Sequence, residues 1–278
     1  MPSHAAPLLE LTHGAQMPQI GLGTWPMSNR EVERAVISAV EAGYRLVDTA
    51  YAYGNEEGVG RGLRGCGLPR EELFVQTKLN GQWHGVEEVA DAWAGSIERL
   101  GVDYIDLFLI HWPLPAQDRY VDAVRGLGRL LEDGRIRAVG TSNFKPAHLE
   151  RVINEAGIVP DVNQIQLSPY TTRDEARAYH ALHGIVTQSW SPLGLGRELL
   201  SEDVIVEIAE HHGRSPAQVV LRWHVELGLA AVPKSARAER MAENIALFDF
   251  ALSAAEVAAI SALDRGEAYA DDSDVIGH

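Results

Sequence analysis

Short apolar runs, each ending in a residue of different chemistry and each followed by an amphipathic stretch, recur along the whole chain. They occupy residues 20–23, 46–47, 73–75, 105–110, 138–140, 162–165, 186–190 and 230–232. Runs of this kind, apolar throughout and bounded by turns, read as buried parallel strands alternating with helices. Leu9-Glu10-Leu11 and Gln16-Met17, flanking His13-Gly14, predict a small hairpin ahead of the first run. Helix starts are marked by the capping boxes Ser28…Glu31, Thr172…Glu175 and Ser253…Glu256, and by Ser215-Pro216. Gly43, Gly134 and Gly228 mark helix stops.

The residues that close the eight runs are, in order, Trp25, Asp48, Lys78, His111, Ser142-Asn143, Gln164, Trp190 and Lys234. The seven steps from Trp25 to Lys234 average about 30 residues, the size of one βα unit. Eight such units, with chemistry gathered where the strands end, predict an α/β fold of the (β/α)8 TIM-barrel type. An N-terminal β-hairpin and a short C-terminal loop complete it, and residues 1–278 form a single domain with its active site on the C-terminal face. A doubly wound sheet fits less well, because it rarely supplies eight regular units and carries a glycine fingerprint after its first strand. Gly60-Arg61-Gly62-Leu63-Arg64-Gly65 matches that fingerprint in letters only. Asn55-Glu56-Glu57 precedes it instead of a strand, and Gly67-Leu68-Pro69 follows it instead of a helix, so it reads as a fraying, glycine-rich helix end.

Charge narrows the partners. Across 278 residues, 24 Lys and Arg oppose 39 Asp and Glu, a net charge of −15. Such a surface repels polyphosphate and anionic membranes, so neither nucleic acid nor a membrane is an expected partner. No apolar stretch is long enough to span a bilayer. Met1-Pro2-Ser3-His4 lacks the cationic start of a secretory signal, and Cys66 is the only cysteine. Both fit a reducing cytoplasm, and the chain is expected to act as a monomer. The 11 histidines include no H-E-x-x-H pair, and His180/His183 and His211/His212 read as surface features, so no metal is expected.

Asp48, Tyr53, Lys78 and His111 stand at the ends of the second, third and fourth runs, which are neighbours in a barrel. Singly, Asp48 reads equally as a loop cap, Tyr53 as a packing residue and His111 as a satisfied core histidine. A lysine inside a buried strand is harder to dismiss, because lysines are rarely buried without a partner. Together the four suit proton delivery. A phenol ordinarily titrates near ~10. An adjacent ammonium favours phenolate and lowers that value, and a carboxylate keeps the ammonium charged despite burial. A histidine beside them orients a substrate oxygen. The assembly fits protonation of a carbonyl oxygen that gains negative charge as the carbon accepts hydride.

These residues sit within longer stretches: Gly21-Leu22-Gly23-Thr24-Trp25, Gly43-Tyr44-Arg45-Leu46-Val47-Asp48-Thr49-Ala50, Tyr53-Gly54-Asn55-Glu56, Thr77-Lys78, His111-Trp112-Pro113, Gly140-Thr141-Ser142-Asn143-Phe144 and Pro233-Lys234-Ser235. In them, from about residue 8 to about residue 263, the chain resembles the aldo-keto reductase superfamily. The closest likeness is to the prokaryotic branch that includes 2,5-diketo-D-gluconate reductases. The resemblance implies NADPH-dependent reduction of aldehydes, ketones or dicarbonyls, with Tyr53 as general acid tuned by Lys78 and Asp48, and His111 orienting the carbonyl. It implies that Ser142, Asn143 and Gln164 hold the nicotinamide carboxamide, that Trp190 stacks on its ring, and that Thr24, Trp25 and Asp48 lie near its ribose. It further implies that Ser191, Leu193, Gly194, Leu195 and Gly196 cover the pyrophosphate. Lys234, Ser235 and Arg240 would then surround the adenosine 2′-phosphate, with Glu243 and Asn244 near the adenine.

Lys234, Arg237 and Arg240 form a cationic island in an acidic chain, which favours NADPH over NADH. Trp25, Trp83 and Trp112 are expected to wall an aromatic pocket. The tail, with Asp264-Arg265-Gly266-Glu267 and Asp271-Asp272-Ser273-Asp274, is expected to be too short to close that pocket and too acidic to welcome an anionic substrate. Two other classes compete. A nucleotide-sensing regulatory protein would keep the cofactor residues without turnover. A metal-assisted barrel hydrolase would need carboxylates and histidines at the strand ends, where this chain carries Lys, Ser, Asn, Gln and Trp.

Overall fold

The computed structural model describes residues 6–194 and 198–278. The Met1-Pro2-Ser3-His4 start, and Leu195 and Gly196 of the pyrophosphate loop, lie outside the described residues.

A hairpin comes first, with β1 (Leu8–Glu10) antiparallel to β2 (Gln16–Pro18) and Leu9 opposite Met17. Eight strands follow: β3 (Gly21–Gly23), β4 (Leu46–Asp48), β5 (Phe74–Leu79), β6 (Ile105–Ile110), β7 (Ile136–Ser142), β8 (Val162–Gln166), β9 (Val186–Trp190) and β10 (Ala230–Ala231). They pair in chain order and in parallel. Parallel bridges from Ile20 to Ala231 and from Gly23 to Lys234 bring the first strand to the last, giving the predicted TIM barrel.

The barrel interior divides by height. Leu11 and Met17 of the hairpin segment pack with Leu46, Phe74, Val162 and Ala230, which begin their strands. This apolar plug fills the N-terminal end. Polar residues take over where the strands finish.

Helices form the outer layer. They are α1 (Asn29–Ala42), α2 (Glu56–Gly65), α3 (Glu88–Leu100), α4 (Tyr120–Glu132), α5 (Pro146–Ala156), α6 (Asp174–His183), α7 (Asp203–His212), α8 (Pro216–Glu226), α9 (Ala238–Ile245) and α10 (Ala254–Ser261). The boxes at Ser28, Ser215 and Ser253 cap α1, α8 and α10. Among the described residues, no helix is long and apolar enough to cross a membrane.

Three sequence expectations change. The Thr172 capping box does not form: α6 begins after Arg173, held at φ 53 with no side-chain cap. Asp264 Oδ1 instead accepts from the Thr172 backbone N–H. The Gly60–Gly65 run is a helix end, as read, closing α2 at Gly65, but it is packed against neighbouring helices and does not fray. A Cβ on Gly60 would stand 2.1 Å from the Leu100 carbonyl oxygen, and one on Gly62 would stand 2.7 Å from Val36 Cβ. Close helix contact, not a nucleotide, demands glycine there. His180 is not a surface residue. It is fully buried between Asn163 and Thr187, and burial drives its pKa down to about 3. Of the other pair, His212 ties α7 to Glu256 of α10 at 2.8 Å, with His211 3.6 Å from the same oxygen.

Candidate active site

β4 and β5 run side by side with Asp48 opposite Gln76. Side chains alternate along a strand, so Gln76 and Lys78 share one face. Lys78 is fully buried at the top of the barrel. Its Nζ donates to Asp48 Oδ1 at 2.6 Å and to the Thr49 carbonyl at 3.0 Å, and lies 3.4 Å from Tyr53 Oη. Tyr53 ends a 3-10 turn, Tyr51–Tyr53, which Gly54 closes at φ 64. His111 follows β6, and its ring centroid is 5.7 Å from that of Tyr53. The four residues singled out from the sequence therefore converge.

Their ionisation has clear causes. Burial raises the Tyr53 pKa; Lys78 opposes the rise and Asp48 adds to it. The net direction is up, whereas the sequence argument weighed only the lowering by the ammonium. Burial alone would discharge Lys78, but Asp48 and Tyr53 outweigh it and the ammonium is retained. Burial, with help from Lys78 and His278, depresses His111 well below 6.5 and keeps the imidazole neutral. His111 Nδ1 is buried without a hydrogen-bond partner.

These groups open into a cleft of about 1000 Å³ at the C-terminal ends of the strands. Trp25, exposed at the mouth, and the buried Trp112 line it, as does Tyr51. Trp83 does not: it packs edge-on behind Tyr51, with ring centroids 4.5 Å apart, and reaches the cleft only by supporting that ring.

The tail also departs from expectation. Lys145 holds Asp272 at 2.6 Å and Asp274 at 2.5 Å, and His148 holds Asp274 at 3.0 Å. The strap so fixed lays Asp271 and His278 into the cleft wall, with the His278 ring 4.7 Å from His111. Pinned by these ion pairs, the short tail lies down as one wall of the cleft. Two of its carboxylates are spent on those pairs.

Beside the tetrad, Thr24 Oγ1 donates to the Asp48 carbonyl at 2.9 Å. Ser142 Oγ donates to the Gln164 carbonyl at 2.9 Å. Asn143, at φ 62, donates from Nδ2 to the His111 carbonyl and accepts from Trp190 Nε1 at 2.8 Å, which fixes the indole against the cleft. Ser191 lines the cleft and turns the chain, accepting from the Gly194 N–H; Leu193 is half-buried beside it. Lys234 stands exposed at the cleft edge, and Arg240 is exposed one α9 turn from Arg237. Ser235 is buried and bonds the Arg237 backbone, Glu243 accepts from Ser215 Oγ, and Asn244 is buried. Ser235, Arg240, Glu243 and Asn244 lie outside the cleft wall proper, beyond Lys234.

The donor chemistry fits a nicotinamide dinucleotide. One end of the groove gathers amides, a hydroxyl and a flat indole. The other end has Lys234 at its edge and Arg237 and Arg240 beyond it, none of them in an ion pair among the described residues. Unpaired cations in a chain of net charge −15 suit an extra phosphate.

Sequence reasoning missed Tyr51, Asn80, Asp271 and His278 in the wall. It also missed Gln76 and Gln188, which precede Lys78 and Trp190 by two residues. The period of two along a strand was the signal that places them on the inner face.

Comparison with known proteins identifies the family. Residues 19–265 match the family described as the aldo/keto reductase family. An aldo-keto reductase of Mycolicibacterium smegmatis is 47% identical over 267 residues, 96% of this chain and 97% of that one. A methylglyoxal reductase, DkgA, of Salmonella typhimurium is 44% identical over 272 residues, 97% of this chain and 98% of that one. The crystal structure of a Gox0644 variant in complex with NADPH superimposes with a TM-score of 0.93 at 42% identity, covering 99% and 100% of the two chains.

Proposed function

The chain belongs to the aldo/keto reductase family, and from that premise we propose that it reduces small aldehydes, ketones and above all dicarbonyls with NADPH, Tyr53 giving the proton. The observation that carries this is the Lys78 ammonium, buried between Asp48 at 2.6 Å and Tyr53 Oη at 3.4 Å. A nucleotide sensor without turnover has no use for so costly a buried pair. One relative, 44% identical, is named a methylglyoxal reductase, which points to small 2-oxoaldehydes.

Ser142, Asn143 and Gln164 would hold the carboxamide, Trp190 would face the ring, and Thr24 and Trp25 would flank the ribose. Ser191, Leu193 and Gly194 would follow the pyrophosphate, with Lys234, Ser235 and Arg240 at the 2′-phosphate and Glu243 and Asn244 at the adenine. Bound there, NADPH supplies the hydride. The remaining chemistry belongs to the protein. Trp25, Trp112 and Tyr51 exclude water from the reacting carbonyl. Neutral His111 orients its oxygen without protonating it prematurely. Tyr53, kept protonated by burial, donates its proton as charge grows on that oxygen, and the adjacent Lys78 ammonium stabilises the phenolate left behind. A single domain, acting as a cytoplasmic monomer, completes the reading.

The test is NADPH oxidation with a panel of dicarbonyls, wild type against Tyr53→Phe. A general acid contributes about 10²–10⁴ in rate, and the variant is expected to lose that much. Equal rates would overturn the reading.

A further inference from the structure

Beneath the tetrad the barrel holds a layer of three glutamines, Gln76, Gln164 and Gln188, one from each of β5, β8 and β9, all buried. Gln188 Oε1 accepts from Gln76 Nε2 at 2.7 Å and from Gln164 Nε2 at 2.6 Å. Both Nε2 groups also donate to one atom, Asp48 Oδ1, at 2.6 Å and 3.0 Å. That is the oxygen which accepts from Lys78 Nζ. Gln188 Nε2 in turn donates to Gln76 Oε1 at 3.1 Å and lies 3.7 Å from Met17 Sδ of the hairpin plug.

A carboxamide can present either its oxygen or its nitrogen to a neighbour, and the surrounding network decides which. Here a shared acceptor, Gln188 Oε1, turns both neighbouring amides so that their N–H groups face Asp48. Two consequences follow. Asp48 Oδ1 carries three donors, so its negative charge is divided and its pull on Lys78 is moderated. Gln164 has both its N–H bonds engaged, so only Oε1 remains for any ligand in the cleft it lines. That leftover is an acceptor, the complement of a carboxamide –NH2.

We propose that Gln76 and Gln188 are positioning residues for the reduction: Gln76 moderates Asp48 and through it the Lys78–Tyr53 pair, and Gln188 sets the orientation in which Gln164 meets the cofactor. This rests on the assignment of Tyr53 as proton donor. The charged and titratable groups facing Tyr53 are Lys78 and Asp48, and beyond them His111, which itself faces Lys78 and His278. Removing a donor from Asp48 leaves more negative charge near the phenol, which favours the protonated form.

Gln76→Met and Gln188→Met keep length and volume while deleting the amide. Each is compared with wild type for NADPH affinity by fluorescence titration, for kcat and KM with methylglyoxal, and for the pH dependence of kcat/KM. In Gln76→Met, kcat should fall about tenfold, the loss of a hydrogen bond to a charged group. Its alkaline limb should move to higher pH while the NADPH Kd stays within about twofold of wild type. Gln188→Met should shift the limb likewise and also weaken NADPH binding, because the Gln164 amide is no longer held. A lowered Tm with unchanged limb and kcat would mean a merely structural layer and would overturn the proposal. Should Gln76→Met fail to fold, the limb and the NADPH Kd of Gln188→Met decide it. Tyr53→Phe separates the two readings. If that variant retains turnover, the proton-donor assignment falls; if it loses turnover while the glutamine variants keep the wild-type profile, only the present inference falls.

Discussion

The two ends of the cleft treat charge in opposite ways. At the inner end, buried charge comes in pairs, Lys78 with Asp48 and Arg99 with Glu56, and the first pair is enclosed by further donors and acceptors. His111 beside it is neutral. At the outer end, Lys234, Arg237 and Arg240 stand exposed and free of ion pairs among the described residues. An interior charge must bring its partner with it, because desolvation would otherwise neutralise it. A rim charge costs little to leave in water and is available to a ligand. On the function proposed above, the inner end serves as reaction centre and the rim cations as electrostatic anchor.

The comparison breaks if the inner pair tolerates disruption. Asp48→Asn should leave the Lys78 ammonium buried without a carboxylate. We expect about 3–5 kcal/mol of lost stability by chemical denaturation and a fall in kcat of about a hundredfold or more. A stable, active Asp48→Asn protein would mean that the interior accepts a lone charge.

Acid provides the next largest effect. His84 and His224 are buried with pKa values lowered to about 4, and His180 to about 3, in each case by burial first. Their unfolded values lie near ~6.5, so the unfolded chain binds protons that the native chain refuses. Stability from this source is full above about pH 6.5 and is lost as pH falls toward the native values. At pH 5 each residue should cost about 2 kcal/mol, so Tm should drop steeply between pH 6.5 and pH 5. A flat Tm across that range would show that these histidines accept protons in place.

The outer end yields smaller changes of another kind. Lys234→Ala should raise the KM for NADPH about tenfold, the scale of one charge-assisted hydrogen bond, and leave the KM for NADH nearly unchanged. An equal loss with both cofactors would remove the distinction between anchor and reaction centre. Smallest is Lys145→Ala, which frees the tail. Exposed ion pairs contribute about 0.2–1 kcal/mol, so the substrate KM should move only about two- to fivefold, with kcat and cofactor affinity preserved.

Much of this was legible beforehand because parallel barrel strands, buried on both faces, leave continuous apolar runs with conspicuous endings. Lys78 was the clearest, since a lysine within such a run demands a partner. The start of α6 was not legible, because Asp264, 92 residues away, takes the role the Thr172 box seemed to claim. Trp83 and the tail failed for a related reason. Whether an indole faces a cleft or its lining, and whether a tail lies down, depends on partners such as Tyr51 and Lys145 that are remote in sequence. Gln188 escaped because a polar residue inside the 186–190 run was taken as part of that run, and Gln76 because it stands between the 73–75 run and Lys78 and was not read as a second inward position.

The glycines of α2 carry a lesson for anyone seeking new substrates by directed evolution. Gly58 and Gly60 meet the Asn29 and Leu100 backbones so closely that an added methyl carbon would stand 2.2 Å and 2.1 Å from their carbonyl oxygens. Those helix contacts are mutationally frozen, and libraries spent on them would mostly yield dead clones. The tail strap, which meets the cleft through Asp271 and His278, is where diversity should be placed.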